Sequence, residues 1–290
     1  MMRVHHLNCG TCCPLGGRMF DGKSDSAFAH LVCHCLLIET DQGLVLIDTG
    51  FGMRDVTGGP QRISPMFLAL NNIQLRPEET AVAQIRALGL DPRDVRHIVL
   101  THLDFDHAGG LEDFPRATIH VTACEKEVAD AGRGGAVDGR RRYRPQQWDE
   151  VDNWSLYPMG GGERWFGFDA VRDLAGLPPE ILMVPLAGHT WGHVGVAIDQ
   201  GDGWLLHAGD TYFYRGEVGA EQYECSPALR GYQRLMEVDR SARLANQRKL
   251  RRLSCDHGDE VRMFCAHDAV EFAILAGGDT SPDGTSARHP

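Results

Sequence analysis

The chain has 290 residues, of which 42% are hydrophobic, enough for a large buried core and too many for a disordered polymer. Its 29 basic and 40 acidic side chains leave a formal net charge of −11, which argues against a surface that coats nucleic acid or docks on anionic membranes. No run approaches the roughly 18–20 apolar residues of a membrane span, and no apolar stretch of signal-peptide length follows Met1. Nine cysteines, an odd number scattered along the chain, suit a reducing compartment. A cytoplasmic protein acting on a small molecule, with no nucleic-acid or membrane partner, is therefore the expectation. Cys9, Cys12 and Cys13 cluster, but no second CxxC pair completes a four-sulfur zinc site, so ordinary thiols are expected.

In chain order, residues 31–39 predict a strand, Asp41-Gln42-Gly43 a turn, and Leu44–Asp48 a second strand pairing back on the first. Ala81, Val82, Ile85 and Leu88 fall at helical spacing in a segment from Pro77 to Leu90, closed by Gly89. Val95–Thr101 predicts a buried strand ending in His102, Ala117–Thr122 another, and Ala123–Ala131 a helix. From residue 132 to about 179 the pattern loosens. It holds a basic run, Arg140–Arg144, read as a solvated face, and then Trp148, Trp154, Tyr157, Trp165, Phe166 and Phe168. That composition reads as an insertion packed over the body rather than part of a regular sheet. Strands return at Ile181–Pro185, Val194–Asp199 and Trp204–His207. A helix follows over 228–253, then a short strand at Arg262–Ala266, and a Gly/Ser/Asp-rich tail from Gly277. One domain over 1–276 with a flexible tail at 277–290 is expected, its two similar halves forming an αββα sandwich of two mixed sheets flanked by helices.

The chemistry concentrates in Thr101-His102-Leu103-Asp104-Phe105-Asp106-His107-Ala108-Gly109-Gly110. Four metal-ligand side chains lie within six residues at a strand end, with apolar Leu103 and Phe105 between them, so the polar groups can face one way while the spacers enter the core. Freely solvated ionisable groups are a poor alternative beside a buried strand.

This run resembles the HxHxDH signature of the metallo-β-lactamase superfamily. Leu44–Gly50, Gly188–His193, Leu205–Asp210 and Phe264–Asp268 resemble four further motifs of that family in the right order, so the resemblance covers residues 31–270. It implies one ion on His102, Asp104 and His189, a second on Asp106, His107 and His267, and Asp210 between them. It gives Asp48 the task of orienting ligands through hydrogen bonds. His193 is taken as a supporting or structural histidine and His207 as a satisfied core histidine; His267 is preferred over His257 because it follows a short apolar strand. Two divalent ions are implied, zinc first, with iron or manganese allowed because Asp104 stands where the family has its second histidine. With three aspartates and a bridging hydroxide, such a centre would be formally neutral; a single-ion site without Asp104 is the other arrangement open.

The closer resemblance is to the quorum-quenching lactonase branch. It implies hydrolysis of a lactone or related carboxylic ester by a metal-bridging hydroxide, with Asp106 handling protons. Those lactonases carry a tyrosine three residues after the bridging Asp; here Phe213 stands there, so Tyr212 or Tyr214 is the candidate oxyanion donor. Trp148, Trp154, Trp165, Phe166 and Trp191 are candidate walls of a substrate pocket. The alternatives are a di-iron redox enzyme of the flavodiiron or persulfide-oxidising type, motivated by Asp104, and a phosphodiesterase, which the acidic balance disfavours.

Overall fold

A computed structural model describes residues 2–58, 62–132, 142–169, 174–219 and 223–277 of the chain. Thirteen strands are named here in chain order: β1 Arg3–Cys12, β2 Leu31–Thr40, β3 Gly43–Ile47, β4 Ile73–Gln74, β5 Val95–Val99, β6 Thr118–Thr122, β7 Trp154–Tyr157, β8 Arg164–Trp165, β9 Phe168–Asp169, β10 Ile181–Pro185, β11 Val194–Asp199, β12 Trp204–His207 and β13 Val261–Phe264. Seven form one sheet in the order β4-β1-β2-β3-β5-β6-β7, four form a second in the order β10-β11-β12-β13, and β8 pairs with β9 alone. Both main sheets are mixed. β1, β2 and β3 run antiparallel, whereas β3, β5, β6 and β7 are parallel neighbours; likewise β13 joins an antiparallel β10-β11-β12 meander in parallel.

Alternation along the strands explains the layering, because successive side chains leave a strand on opposite faces. In β2 and β3, Leu36, Ile38, Val45 and Ile47 meet Met183, Val196, Ile198 and Leu205 between the sheets. Their neighbours Leu37, Leu44 and Leu46 turn outward, onto Ala81, Val82 and Ile85 of the helix Ala81–Ala87. On the far side Leu182, Val184 and Leu206 pack on Leu250 and Leu253 of the helix Arg240–His257. The order is helix, sheet, sheet, helix. Strands covered on both faces show as continuous apolar runs, which is why these segments were visible in the sequence.

Three elements depart from expectation. β1 was not anticipated: its His5, His6, Asn8 and Gly10 blur the apolar alternation, yet it pairs with β2 from Arg3↔Glu39 to Cys12↔Leu31. Helix 228–253 is two helices, Pro227–Met236 and Arg240–His257; Glu237 is extended and the Asp239 carboxylate accepts from Ala242 N (2.9 Å), capping the second. Part of the segment read as an insertion completes the large sheet: β7 lies parallel to β6, satisfying backbone groups that an open edge would leave unpaired. The tail from residue 278 lies outside the described residues. Among the described residues no helix is long and apolar enough to cross a membrane.

Glu271, on the helix Ala269–Leu275, accepts from Cys265 N (2.8 Å) and from the Tyr212 hydroxyl (3.1 Å). Burial, aided by the nearby Asp268 carboxylate, pushes its acid up to about 8. The folded chain therefore favours the protonated acid, while the unfolded chain ionises it in the ordinary range. Its contribution is lost as pH rises from that range through about 8. Urea unfolding of the wild type is expected to lose on the order of 2 kcal/mol of stability between pH 5 and 8.5, after discount for partial exposure, and Glu271→Gln to flatten that slope.

Candidate metal centre

The site residues sit in loops at one rim of the two sheets. Asp48 follows β3, the segment Thr101–Gly110 follows β5, Gly188–His193 joins β10 to β11, Asp210 follows β12 and His267 follows β13. Buried Glu125 ties two of these loops together: its carboxylate accepts from Leu103 N (3.0 Å), Gly192 N (3.1 Å) and the Tyr143 hydroxyl (3.2 Å). The break before the helix Arg240–His257 fixes a third, since Val238 N and Asp239 N both donate to Gly188 O at 3.0 Å.

Two ligand sets converge there. In the first, Asp104 Oδ2 is 3.3 Å from His102 Nε2 and 3.0 Å from His189 Nε2, and Asp210 Oδ2 is 3.8 and 3.2 Å from the same two nitrogens. In the second, Asp210 Oδ1 is 3.3 Å from His107 Nε2 and 3.1 Å from His267 Nε2. Asp106 closes this set, with Oδ1 3.9 Å from His107 Nε2 and Oδ2 3.8 Å from His267 Nε2. Four ligands at about 2.0–2.1 Å around a tetrahedral ion stand about 3.3 Å from one another, so both sets are spaced for a small divalent cation. Asp210 gives one oxygen to each set. His102 Nε2, His107 Nε2 and Asp210 Oδ1 are buried without a hydrogen-bond partner. Orphaned acceptors in a dry pocket are costly, and cations would satisfy them. The donor set of imidazoles and carboxylates fits zinc, iron or manganese.

The far nitrogen of most of these imidazoles is already engaged. His107 Nδ1 is 2.8 Å from Asp48 Oδ2, His267 Nδ1 is 2.8 Å from Val32 O, and His102 Nδ1 is 2.9 Å from Thr101 Oγ1. Each contact fixes a ring so that Nε2 faces the centre. Asp48 sits at φ 56°, an uncommon backbone for a non-glycine residue, and is held there by Thr101 N (2.8 Å) and Thr101 Oγ1 (2.7 Å). His193 supports the other side: its Nδ1 donates to Leu186 O (3.1 Å) and its Nε2 accepts from Asp210 N (2.8 Å). Gly209, at φ 54°, must be glycine here because a Cβ would lie 2.5 Å from that His193 nitrogen. His207 is a core histidine, its ring bonded to His34 O (2.6 Å) and to Gly209 N (3.1 Å). His257 lies at the surface beside Glu260.

One residue changes the electrostatics. Arg142, placed by its sequence in a solvated basic run, is 0% exposed. Its Nε donates to Asp104 Oδ1 (2.5 Å), its Nη2 to Asp104 Oδ2 (2.8 Å), and its Nη1 to Met236 O. Burial would raise the Asp104 acid, but Arg142 and then His102 hold it well below the carboxylate range. Burial and the same guanidinium push His189 down to about 3, leaving its ring neutral. In the other set, Asp210 overcomes burial and lifts His267 to about 9. Burial lifts the Asp106 acid. The guanidinium also corrects the charge reckoning, since a centre formally neutral with three aspartates gains one positive charge from Arg142.

A cavity of about 20 Å³ reaches the centre, lined in part by Asp104, Asp106, Asp210, Phe213, Tyr232 and His267. Beside it, sharing Leu31, Phe213 and His267, lies a larger cavity of about 310 Å³ that adds Lys23, His30, Tyr214 and Arg215. The proposed aromatic wall is elsewhere. Trp148 and Trp154 pack on the core beneath the large sheet, Trp165 and Phe166 on the core beside the helix Arg240–His257, and Trp191 is 44% exposed. They fill large apolar gaps, which composition alone does not separate from pocket walls. Tyr212 is buried and gives its hydroxyl to Glu271, while Tyr214 lies against the larger cavity. Tyr232 lines the cavity at the centre together with Asp104, Asp106 and Asp210, and its acid is pushed well up by burial and then by Asp106. It lies on the amphipathic helix Pro227–Met236, where a tyrosine passes for a core residue and gives no signal of this placement.

Comparison with known proteins agrees with this geometry. The family model of the metallo-beta-lactamase superfamily matches residues 30–252. A "probable metallo-hydrolase" of Mycobacterium tuberculosis (strain ATCC 25618 / H37Rv) is 39% identical over 272 residues, covering 92% of this chain and 80% of the relative. An N-acyl homoserine lactonase of Bacillus cereus is 26% identical over 238 residues, 78% of this chain and 86% of that one. An N-acyl homoserine lactone hydrolase, solved with N-hexanoyl-L-homoserine at its catalytic metal centre, superposes with a TM-score of 0.67 at 20% identity, covering 97% of each chain. A dizinc quorum-quenching lactonase superposes with a TM-score of 0.58 at 16% identity, covering 92% of this chain and 87% of that one. These superpositions speak to the fold alone. The chain belongs to the metallo-beta-lactamase superfamily and is one of its metal-dependent hydrolases.

Proposed function

We propose that the chain hydrolyses a carboxylic ester, with a lactone as the first candidate, at a centre holding two divalent ions, zinc before iron or manganese. One observation carries this reading: Asp210 divides its oxygens between a set containing His102, Asp104 and His189 and a set containing Asp106, His107 and His267. The lactonase relatives support the choice of ester.

When bound, such ions acidify a water and polarise a carbonyl. The chain's own residues do the rest. Asp48, His193 and Arg142 hold ligands in place, and the buried walls exclude bulk water. Asp106 is the most exposed of the three aspartates, its side chain 16% accessible, and burial raises its acid, so it is the group suited to take up and release a proton. Tyr232 takes the oxyanion-donor place proposed from sequence for Tyr212 or Tyr214. Lys23 and Arg215 border the larger cavity, where the body of the substrate would extend.

A panel of lactones, aryl esters, thioesters and bis-phosphodiesters is expected to show turnover of lactones or aryl esters that is abolished by a chelator and restored by zinc. Turnover of phosphodiesters alone, or restoration by iron accompanied only by redox activity, contradicts the reading. Tyr232→Phe is expected to lower kcat on the best ester by about 10–100-fold with KM little changed, whereas Tyr212→Phe leaves kcat within about twofold and alters stability instead. Asp48→Asn is expected to weaken metal binding by about 10–100-fold in a chelator competition, because His107 loses the partner that orients it.

A further inference from the structure

The buried Asp104–Arg142 pair asks for an explanation that the fold alone does not supply. Arg142 and Asp104 are 0% and 2% exposed, and a buried ion pair of this kind contributes little net stability, because desolvation offsets the attraction. What the pair does is geometric. Arg142 Nε takes Asp104 Oδ1 and turns it away from the centre, which leaves Oδ2 as the oxygen 3.3 Å from His102 Nε2 and 3.0 Å from His189 Nε2. A carboxylate oxygen has a second lone pair, so Oδ2 accepts from Nη2 at 2.8 Å and still presents itself to the ligand set. The same Nη2 lies 2.6 Å from His189 Nε2. A guanidinium only donates, so that nitrogen accepts through its one lone pair, with the ring proton on Nδ1; this is the tautomer a metal ligand requires, and Nη2 gives up the contact when an ion takes the lone pair. Nη1 binds Met236 O and anchors the fork from behind.

We propose that Arg142 is a positioning residue of the metal centre: it selects the Asp104 oxygen and the His189 tautomer that the first ion needs, and its charge offsets the third carboxylate. Positions 104 and 142 then form a coupled pair. A neutral imidazole at 104 needs no guanidinium behind it, and a guanidinium behind an imidazole is a buried cation without its partner. This inference rests on the two-ion reading of the centre but not on the identity of the substrate.

The test is a metal titration of the full-length, chelator-stripped protein with zinc and with cobalt, in competition with a chromophoric chelator. Thermal unfolding is recorded in parallel. Arg142→Met is expected to weaken one of the two ions by about 10–100-fold and leave the other within about threefold, with Arg142→Lys recovering part of the loss. Asp104→His alone is expected to bind the first ion poorly, and Asp104→His with Arg142→Met to bind it better than either single variant, with the cobalt absorption band of a four-coordinate ion restored. Wild-type affinity for both ions in Arg142→Met overturns the proposal, as does a double variant whose losses merely add. Should Arg142→Met fail to fold, the double variant decides: folded with two ions it supports the proposal, and folded without the first ion, or unfolded, it assigns Arg142 to the fold and overturns it. Normal metal binding with no ester turnover would instead defeat the proposed reaction and leave this inference standing.

Discussion

Three aspartates and four histidines share one buried pocket, and everything else at this rim follows from the cost of putting them there. Asp104 and Asp210 are nearly inaccessible, and at these separations like charges in a low-dielectric site cannot coexist without compensation. The protein supplies part of it through Arg142, and the orphaned atoms of His102, His107 and Asp210 mark where the remainder belongs. Two cations divided by a bridging carboxylate would meet that demand, the first taking the His189 lone pair that Arg142 Nη2 holds here.

The scaffold meets a second demand, that of precision. The candidate ligands arrive from four loops, and four of them are fixed by a contact made away from the centre: Asp48 on His107, Val32 O on His267, Thr101 on His102, His193 on the backbone of Asp210. The uncommon backbone of Asp48 and the glycine at 209 are local concessions to this packing, located where the sheet ends and the site begins. The two sheets behind them, with apolar residues on both faces, provide the rigid body that makes such concessions tolerable.

Much of this was legible in the sequence, and the reasons are physical. β10, β11 and β12 were read with their observed limits because strands covered on both faces are unbroken apolar runs. The candidate ligands were legible because imidazoles and carboxylates at strand ends have few other uses. β1 was hidden by its polar residues, and the helix break at Glu237–Asp239 by a propensity pattern that runs through it. Arg142 and Tyr232 were hidden for another reason. A cation in a basic run and a tyrosine on an amphipathic helix resemble surface and core residues until the chain is folded. Asp104 offered a hint, since a carboxylate where the family has a histidine lowers the charge of the centre by one, but nothing in the spacing points to a guanidinium that restores it.

The account is tested most directly by native mass spectrometry of metal-loaded wild type beside Asp210→Asn. Two ions per chain are expected in the wild type, and the variant is expected to lose the paired occupancy, since each ion loses its shared oxygen or half of its charge balance. A wild-type chain that stays metal-free under saturating zinc, manganese or iron, or an Asp210→Asn chain that retains both ions at wild-type strength, would contradict it.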